Sequence, residues 1–108
     1  MTPLYLGEFE QVVLLAVLRL GDAAYPIPIR EEIAARTGRS VARGALYTAL
    51  ERLESKRYLR SRMGEPLAER GGRPRRYFTV TATGLAALRS SRRALLQLWG
   101  GLEGLLES

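Results

Sequence analysis

Arginine side chains supply most of the chemistry that this sequence could perform. Residues 39–76 carry eleven basic side chains against four acidic ones, a local net charge of +7, whereas the other seventy residues together carry −1. Sixteen of the seventeen bases in the chain are arginine, whose guanidinium group pairs well with phosphate. Ordinary solvated surface charge would not segregate so cleanly. We therefore expect this basic segment to bind a phosphate polyanion.

The missing residue types exclude several other kinds of site. The 108 residues contain no cysteine and no histidine, and Asp22 is the lone aspartate. Disulfides, thiol chemistry, Cys/His zinc sites and imidazole catalysis are thereby excluded, and we expect no metal and no cofactor. The acidic residues form no paired arrangement, and no glycine-rich phosphate motif follows a strand. The sequence therefore does not predict an enzyme.

The size and hydrophobicity of the chain favour one small domain that associates. A chain of 108 residues, 46% of them hydrophobic, can bury a core, but a domain of this size buries only a modest fraction of its surface. Its apolar runs are shorter than the roughly 18 residues that span a bilayer. The first residues also lack the basic start of a signal peptide. We expect a cytoplasmic, nucleoid-associated protein without a membrane partner.

The first element that must position the basic side chains is a predicted helix over residues 41–57. Ser40 is its expected N-cap. Its outward face carries small and polar side chains, which suits insertion into the major groove of DNA, although an ordinary amphipathic helix shows the same pattern. Tyr47 either positions this helix on a phosphate or braces the element that follows. The predicted DNA contacts here are Ser40, Arg43, Gly44, Tyr47, Thr48, Arg52 and Lys56.

A basic β-hairpin is predicted after this helix. Residues 59–63 alternate between apolar or small and basic side chains, and residues 76–80 are aromatic and β-branched, which is typical of two strands. Between them, residues 64–74 have the glycines and prolines of a loop. Glycine lets backbone approach a phosphate closely, and arginine can also enter a narrow minor groove. The predicted contacts of the loop with the DNA backbone are Arg70, Arg73 and Arg75.

Two helices are predicted before these elements, over residues 8–20 and 27–37. Pro28 suits the first turn of the second helix, and Gly38 follows its end. Three helices followed by a basic hairpin predict a mainly α fold, a winged helix-turn-helix, over residues 1–81.

Two apolar surfaces of this predicted unit lack a partner. The helix over residues 8–20 is apolar on two opposite sides, so one side is expected to lie in the core and the other against a partner. A final helix, from about Ala82 to the C-terminus, has apolar residues at coiled-coil spacing, with Arg92 filling one gap. We therefore predict a dimerisation helix over residues 82–108, continuous with the winged unit, and a homodimer formed through residues 82–108 and 8–20. The candidate interface residues are Leu14, Leu15, Leu18, Leu88, Leu95, Trp99, Leu102 and Leu106.

Several segments together resemble the PadR-like transcriptional regulators. They are residues 45–54, 56–59, 6–10, 75–78 and 81–84. The resemblance implies a homodimeric bacterial winged-helix repressor of the short type, whose single C-terminal helix packs against the N-terminal helix of its partner. A two-fold dimer would bind a pseudo-palindromic operator with half-sites about one helical turn apart. Arg57 departs from the family pattern, which commonly has glycine there, and this bears on the geometry of the helix end.

Trp99 leaves two interpretations open. It could simply pack in the predicted dimer interface, or it could line a flat apolar cavity between subunits that binds a planar hydrophobic aromatic effector, as in drug-responsive members of the family. Two other function classes also remain. One is a non-regulatory winged-helix module, either an architectural DNA binder or an RNA binder, and the other is a protein-interaction adaptor.

Overall fold

Four α-helices and one β-hairpin follow each other along the chain in this computed structural model, which describes residues 6–65 and 74–107. No helix among these residues has both the length and the apolar character needed to cross a membrane. The helices are α1 (Glu8–Leu20), α2 (Pro26–Thr37), α3 (Arg43–Ser55) and α4 (Ala82–Trp99), the strands are β1 (Leu59–Met63) and β2 (Arg76–Val80), and two 3-10 turns cover Gly21–Ala23 and Glu103–Leu106.

The core lies where the first three helices meet the hairpin and the beginning of α4. Its largest fully buried side chains come from α1, α2, α3 and β1, and Phe78 of β2 closes it from the hairpin side. Burial of these side chains is the main favourable term for folding. Helix α4 contributes only its first half, since Ala87, Leu88 and Ser91 are buried and the apolar residues beyond them are exposed.

Helix α1 has the predicted bounds, but one side of it was assigned wrongly. Leu14, predicted to face a partner, is fully buried in the protomer's own core, as is Val13. Leu15 and Leu18 are 49% and 43% exposed. Other helices pack against α1 on more than one side, so fewer of its apolar residues face outward than the sequence predicts. Leu15 and Leu18 are the large apolar side chains of α1 that remain exposed.

Helix α3 starts later than predicted. Its N-cap is Ala42, which is exposed and supplies no side-chain hydrogen bond, so Ser40 is not the cap. Val41 is buried, and its carbonyl accepts a hydrogen bond from Nε of Arg30 at 3.0 Å. Val41 is thus held by its burial and by this bond, and Ala42, with φ −64° and ψ 143°, is still extended before the helix begins.

Arg57 ends α3 in a backbone conformation that is unusual for arginine. Arg57 has a φ of 64°, the left-handed conformation that favours glycine. The N–H of Arg57 donates to the Glu54 carbonyl, and the N–H of Tyr58 donates to the Leu53 carbonyl, each at 2.9 Å. This pair of bonds is a Schellman motif, which normally has glycine at this position.

The hairpin is antiparallel, with Leu59 opposite Val80 and Ser61 opposite Phe78. A hydrogen bond of 2.8 Å from the Phe78 N–H to the Ala24 carbonyl ties β2 to the connection between α1 and α2. Met63, the last residue of β1, lies on the same face of the strand as the buried Leu59 but is 56% exposed. The loop residues Arg70 and Arg73 lie outside the described residues.

Helix α4 begins as predicted and ends earlier. The Thr81 hydroxyl accepts from the Gly84 N–H at 3.0 Å and donates to the Arg57 carbonyl at 2.7 Å, so it caps α4 and joins it to the end of α3. The helix ends at Trp99, and Gly101 has a φ of 86°. Leu102 and Leu106 therefore lie beyond α4, and the predicted continuous helix to the C-terminus is wrong, because glycine breaks it.

Candidate nucleic-acid interface

The outer face of α3 is exposed along its length and carries small side chains in the first half of the helix. Arg43, Gly44, Thr48 and Arg52 are all exposed, and a Cβ atom added at Gly44 would meet no other atom within 4 Å. The protein's own packing therefore does not require glycine at this position. A helix with its side chains is about 10–12 Å across and matches a major groove about 12 Å wide, and a small outer face lets its backbone approach the bases.

One flank of α3 borders the hairpin. The Arg43 guanidinium lies over the Tyr47 ring, 5.5 Å from its centroid, and Tyr47 is 40% exposed. Both residues line a cleft of about 400 Å³ between α3 and β2, which also includes Tyr25, Arg75 and Phe78. Tyr47 thus reaches both the solvent and the hairpin side, and both of its predicted roles remain compatible with this position.

The other flank of α3 contacts α1 through ion pairs. Lys56 Nζ lies 2.7 Å from a carboxylate oxygen of Glu10, and the other oxygen of Glu10 accepts from the Gly7 N–H at 2.9 Å. Partial burial raises the pKa of Glu10, but the hydrogen bonds from Lys56 and Gly7 and the charges of Lys56 and Arg52 outweigh it and lower that pKa below its ordinary value. Lys56 would have to share this contact in order to bind DNA.

Several arginines of the basic segment remain available to a ligand. Arg39 pairs with Glu8 at 2.5 Å. None of the ion pairs found among residues 6–65 and 74–107 involves Arg43, Arg52 or Arg75. Ser40 is exposed just before α3, so it lies beside the same surface. The structure thus brings together one face of α3, the segment before it and the loop end of the hairpin.

Glu51, which the helical spacing places on the outward side of α3, is exposed there. One residue near this surface was missed in the sequence. Tyr25 lies beside Arg75, with the guanidinium carbon 4.3 Å from the ring centroid. No sequence pattern predicts this contact, because Tyr25 precedes α2 whereas Arg75 lies fifty residues later, at the loop end of the hairpin.

A second surface is apolar and lies between α1 and α4. Leu15 and Leu18 face Leu95, Leu96 and Trp99 across a groove of about 440 Å³. Leu95 is 49% exposed and Trp99 38%, whereas Leu88, a predicted interface residue, is only 7% exposed and lies at the floor of the groove. Leu102 and Leu106 are 47% and 70% exposed. Leu98, outside the predicted heptad pattern, is 73% exposed.

The arrangement of these elements defines the class of protein. Helices α1 to α3, a following hairpin and a fourth helix form a winged-helix fold. The sequence also matches the family model described as the transcriptional regulator PadR-like family over residues 14–90. The chain belongs to this family, whose members are DNA-binding transcriptional regulators and not enzymes.

Solved structures with the same fold span nearly the whole chain. A PadR family transcriptional regulator from Eggerthella lenta is 29% identical, with a TM-score of 0.68, and the match covers 94% of this chain and 88% of that one. A transcriptional regulator from Clostridium thermocellum is 22% identical, with a TM-score of 0.70 and coverage of 88% and 89%. A PadR-like transcription factor from Bacteroides fragilis is 22% identical, with a TM-score of 0.69 and coverage of 90% and 88%. No curated protein matches the sequence.

Proposed function

We propose that this protein is a sequence-specific transcriptional regulator that acts as a homodimeric repressor on a pseudo-palindromic operator in the bacterial cytoplasm. The observation that carries the proposal is the outer face of α3, exposed and small at Gly44 and Thr48, with Arg43 on its flank free of any described ion pair. Sequence-specific binders place such a helix in the major groove, where base edges can be distinguished.

In the proposed complex, the base and backbone contacts come from different elements. Gly44 and Thr48 lie against base edges, while Ser40, Arg43 and Arg52 bind phosphates beside the groove. The hairpin adds backbone contacts through Arg70, Arg73 and Arg75 in the adjacent minor groove. Tyr47 contributes through a phosphate or by supporting the hairpin, and Lys56 contributes after sharing its contact with Glu10.

Dimerisation is supported by the apolar surface between α1 and α4. Leu15, Leu18, Leu95, Leu96 and Trp99 are each between 38% and 53% exposed in the single protomer. An exposed apolar patch of this kind marks an interaction site, and a two-fold arrangement would bury each copy of it against the same patch of the partner. Residues 82–108 would then form the dimerisation unit and residues 1–81 the winged unit.

Release by a planar hydrophobic aromatic effector is the regulatory part of the proposal. The groove between α1 and α4 is lined mainly by leucines and Trp99, with Arg89 and Arg92 at its rim. Two such grooves facing each other in a dimer would form a flat cavity with aromatic walls. An effector there weakens DNA binding only if it favours a dimer geometry in which the two α3 helices no longer match the operator.

Selection from a random library of double-stranded DNA tests this proposal. A repressor of this kind enriches an inverted repeat whose half-sites are centred about 10 base pairs or a multiple of that apart. Binding without enrichment of any sequence would instead indicate an architectural nucleic-acid module. No binding to any duplex at low salt would leave a protein-interaction adaptor.

A further inference from the structure

Two arginines at the loop end of the hairpin stack against two tyrosines in a continuous row. The Arg75 guanidinium carbon lies 4.3 Å from the centroid of the Tyr25 ring. The Tyr25 and Tyr77 rings meet edge to face, with centroids 5.5 Å apart and an interplanar angle of 67°. The Arg62 guanidinium carbon lies 4.7 Å from the centroid of the Tyr77 ring. We call these four side chains the arginine–tyrosine row.

The row joins three segments that are distant in the sequence. Arg62 belongs to β1, Tyr77 to β2, and Tyr25 is the residue that caps α2. The backbone fixes the same junction, because the Phe78 N–H donates to the Ala24 carbonyl at 2.8 Å and the Gly64 N–H donates to the Arg75 carbonyl at 2.6 Å. The segment that carries Tyr25 is therefore tied to the hairpin by the backbone hydrogen bond of its neighbour Ala24.

Tyr25 holds Arg75 at the wall of the cleft between α3 and β2. Both residues are half-buried and line this cleft of about 400 Å³, opposite Arg43 and Tyr47 of α3. Tyr25 is not among the residues that form or flank the hydrophobic core.

The position of this cleft gives the row a role in DNA binding. If α3 enters the major groove and the hairpin reaches the neighbouring minor groove, the DNA strand that separates the two grooves must cross the cleft. Arg43 and Arg75 would then approach the same strand from opposite walls. A guanidinium restrained by an aromatic face loses less rotamer freedom when it binds a phosphate.

We infer that Tyr25 is a positioning residue for DNA binding, which holds the Arg75 guanidinium on the cleft wall for a backbone phosphate. The inference rests on the proposed binding of DNA and adds a residue outside the helix and hairpin that carry the contacts. It concerns affinity for the backbone and not for base sequence, so random-sequence duplex DNA is a sufficient probe.

A double-mutant cycle on the full-length protein tests this role. Tyr25→Leu, Tyr25→Phe, Arg75→Ala and the double variant Tyr25→Leu/Arg75→Ala are titrated into dye-labelled random-sequence duplex at several salt concentrations. Tyr25→Leu should raise Kd about two- to fivefold, because it removes the aromatic face under the guanidinium. Tyr25→Phe should retain wild-type affinity, because phenylalanine keeps that aromatic face. Arg75→Ala should raise Kd and reduce the slope of log K against log salt by about 0.9.

The decisive comparison is the effect of Tyr25→Leu in the Arg75→Ala background. A positioning role predicts no further loss there, whereas a general effect on the fold gives the same loss in both backgrounds and overturns the inference. Failure of Tyr25→Phe to restore binding would also overturn it. So would an Arg75→Ala protein that binds like the wild type. Failure of the wild-type protein itself to bind duplex would remove the proposed function together with the inference.

Discussion

Arg57 takes a backbone conformation that the ends of helices usually give to glycine. Arg57 adopts a φ of 64° and completes the Schellman motif that ends α3. Its carbonyl also accepts the Thr81 hydroxyl, so the strained residue lies at the junction of α3 and α4. The resemblance to the family singled out this position, and the structure gives the physical reason: the backbone keeps the conformation that glycine normally provides.

Arg57→Gly should stabilise the protein. Relief of the left-handed strain exceeds the extra backbone entropy that glycine loses on folding, and we expect a gain of about 0.5–1 kcal/mol in the free energy of unfolding. Urea denaturation measures this gain, with Ser55→Gly, at a right-handed position inside α3, as the control that should destabilise. Equal destabilisation by both variants would mean that residue 57 is unstrained.

Gly84 is required by a close approach of the backbone. A Cβ atom added there would lie 2.3 Å from the Tyr58 carbonyl oxygen, whereas one added at Gly44 meets nothing. We expect Gly84→Ala to destabilise by about 1–3 kcal/mol, and Gly44→Ala to stabilise by up to about 1 kcal/mol through helix propensity. The Tm values of the two variants and the wild type, from thermal unfolding, measure these changes. An unchanged Tm for Gly84→Ala would contradict the packing described for α4.

At the scale of elements, local patterns predicted the bounds of regular structure well. Helix α1 and strand β2 have the bounds predicted from periodicity and β-propensity, and Gly38 ends α2 in a left-handed conformation. The start of α3 and the end of α4 were missed. The start of α3 depends on the burial of Val41 and on its hydrogen bond from Arg30. The end of α4 depends on whether its helical pattern or its glycines prevail. A local pattern decides neither of these.

The candidate site also combines residues that a local pattern predicts with contacts that depend on how the elements pack. The outward face of α3 follows from helical spacing, so its exposed residues could be predicted from the sequence alone. The contact of Lys56 with Glu10 and that of Arg75 with Tyr25 depend on how elements pack, so the sequence did not reveal them. For the same reason Leu14 and Leu88, assigned to an interface, lie in the core.

The contact between α1 and α3 should weaken in acid. Glu10 has a lowered pKa in the folded protein, so its carboxylate contributes stability above its ordinary value of 4.5, and this is lost as pH falls through the lowered folded value. Glu10→Gln should therefore reduce the free energy of unfolding at neutral pH, by up to about 1 kcal/mol. The difference from wild type should shrink toward zero in acid.

Urea titrations from neutral to acidic pH measure this difference. Glu8→Gln is the matched control, because it removes the more exposed pair with Arg39 and should change stability less. If the loss in the free energy of unfolding caused by Glu10→Gln stays constant from neutral to acidic pH, the charge of the carboxylate is not its source.

At the scale of the whole molecule, the two surfaces divide the proposed work. In the proposed dimer, each copy of α3 would cover one half-site, and the apolar surface between α1 and α4 would set the distance between the two copies. Leu95→Glu places a charge on this surface at a side chain that is 49% exposed, so it should leave the protomer folded and convert the dimer to a monomer. Met63→Glu, at an exposed hairpin residue, should leave the dimer intact.

Sedimentation velocity at micromolar concentration checks the assembly state of these variants, with circular dichroism to confirm that each is folded. A wild-type protein that sediments as a monomer would contradict the dimer, as would a Leu95→Glu protein that still sediments as a dimer.

The most direct test of DNA recognition by α3 is the affinity of Gly44→Leu for a duplex selected from a random library, measured by fluorescence anisotropy beside a scrambled duplex of equal length. The open space at Gly44 lets leucine fold normally, so Tm should not fall. We predict that the wild type prefers the selected duplex by at least about a thousandfold, and that Gly44→Leu loses this preference because its side chain keeps the helix out of the groove. A Gly44→Leu protein that binds the selected duplex with wild-type affinity and preference would contradict recognition through this face.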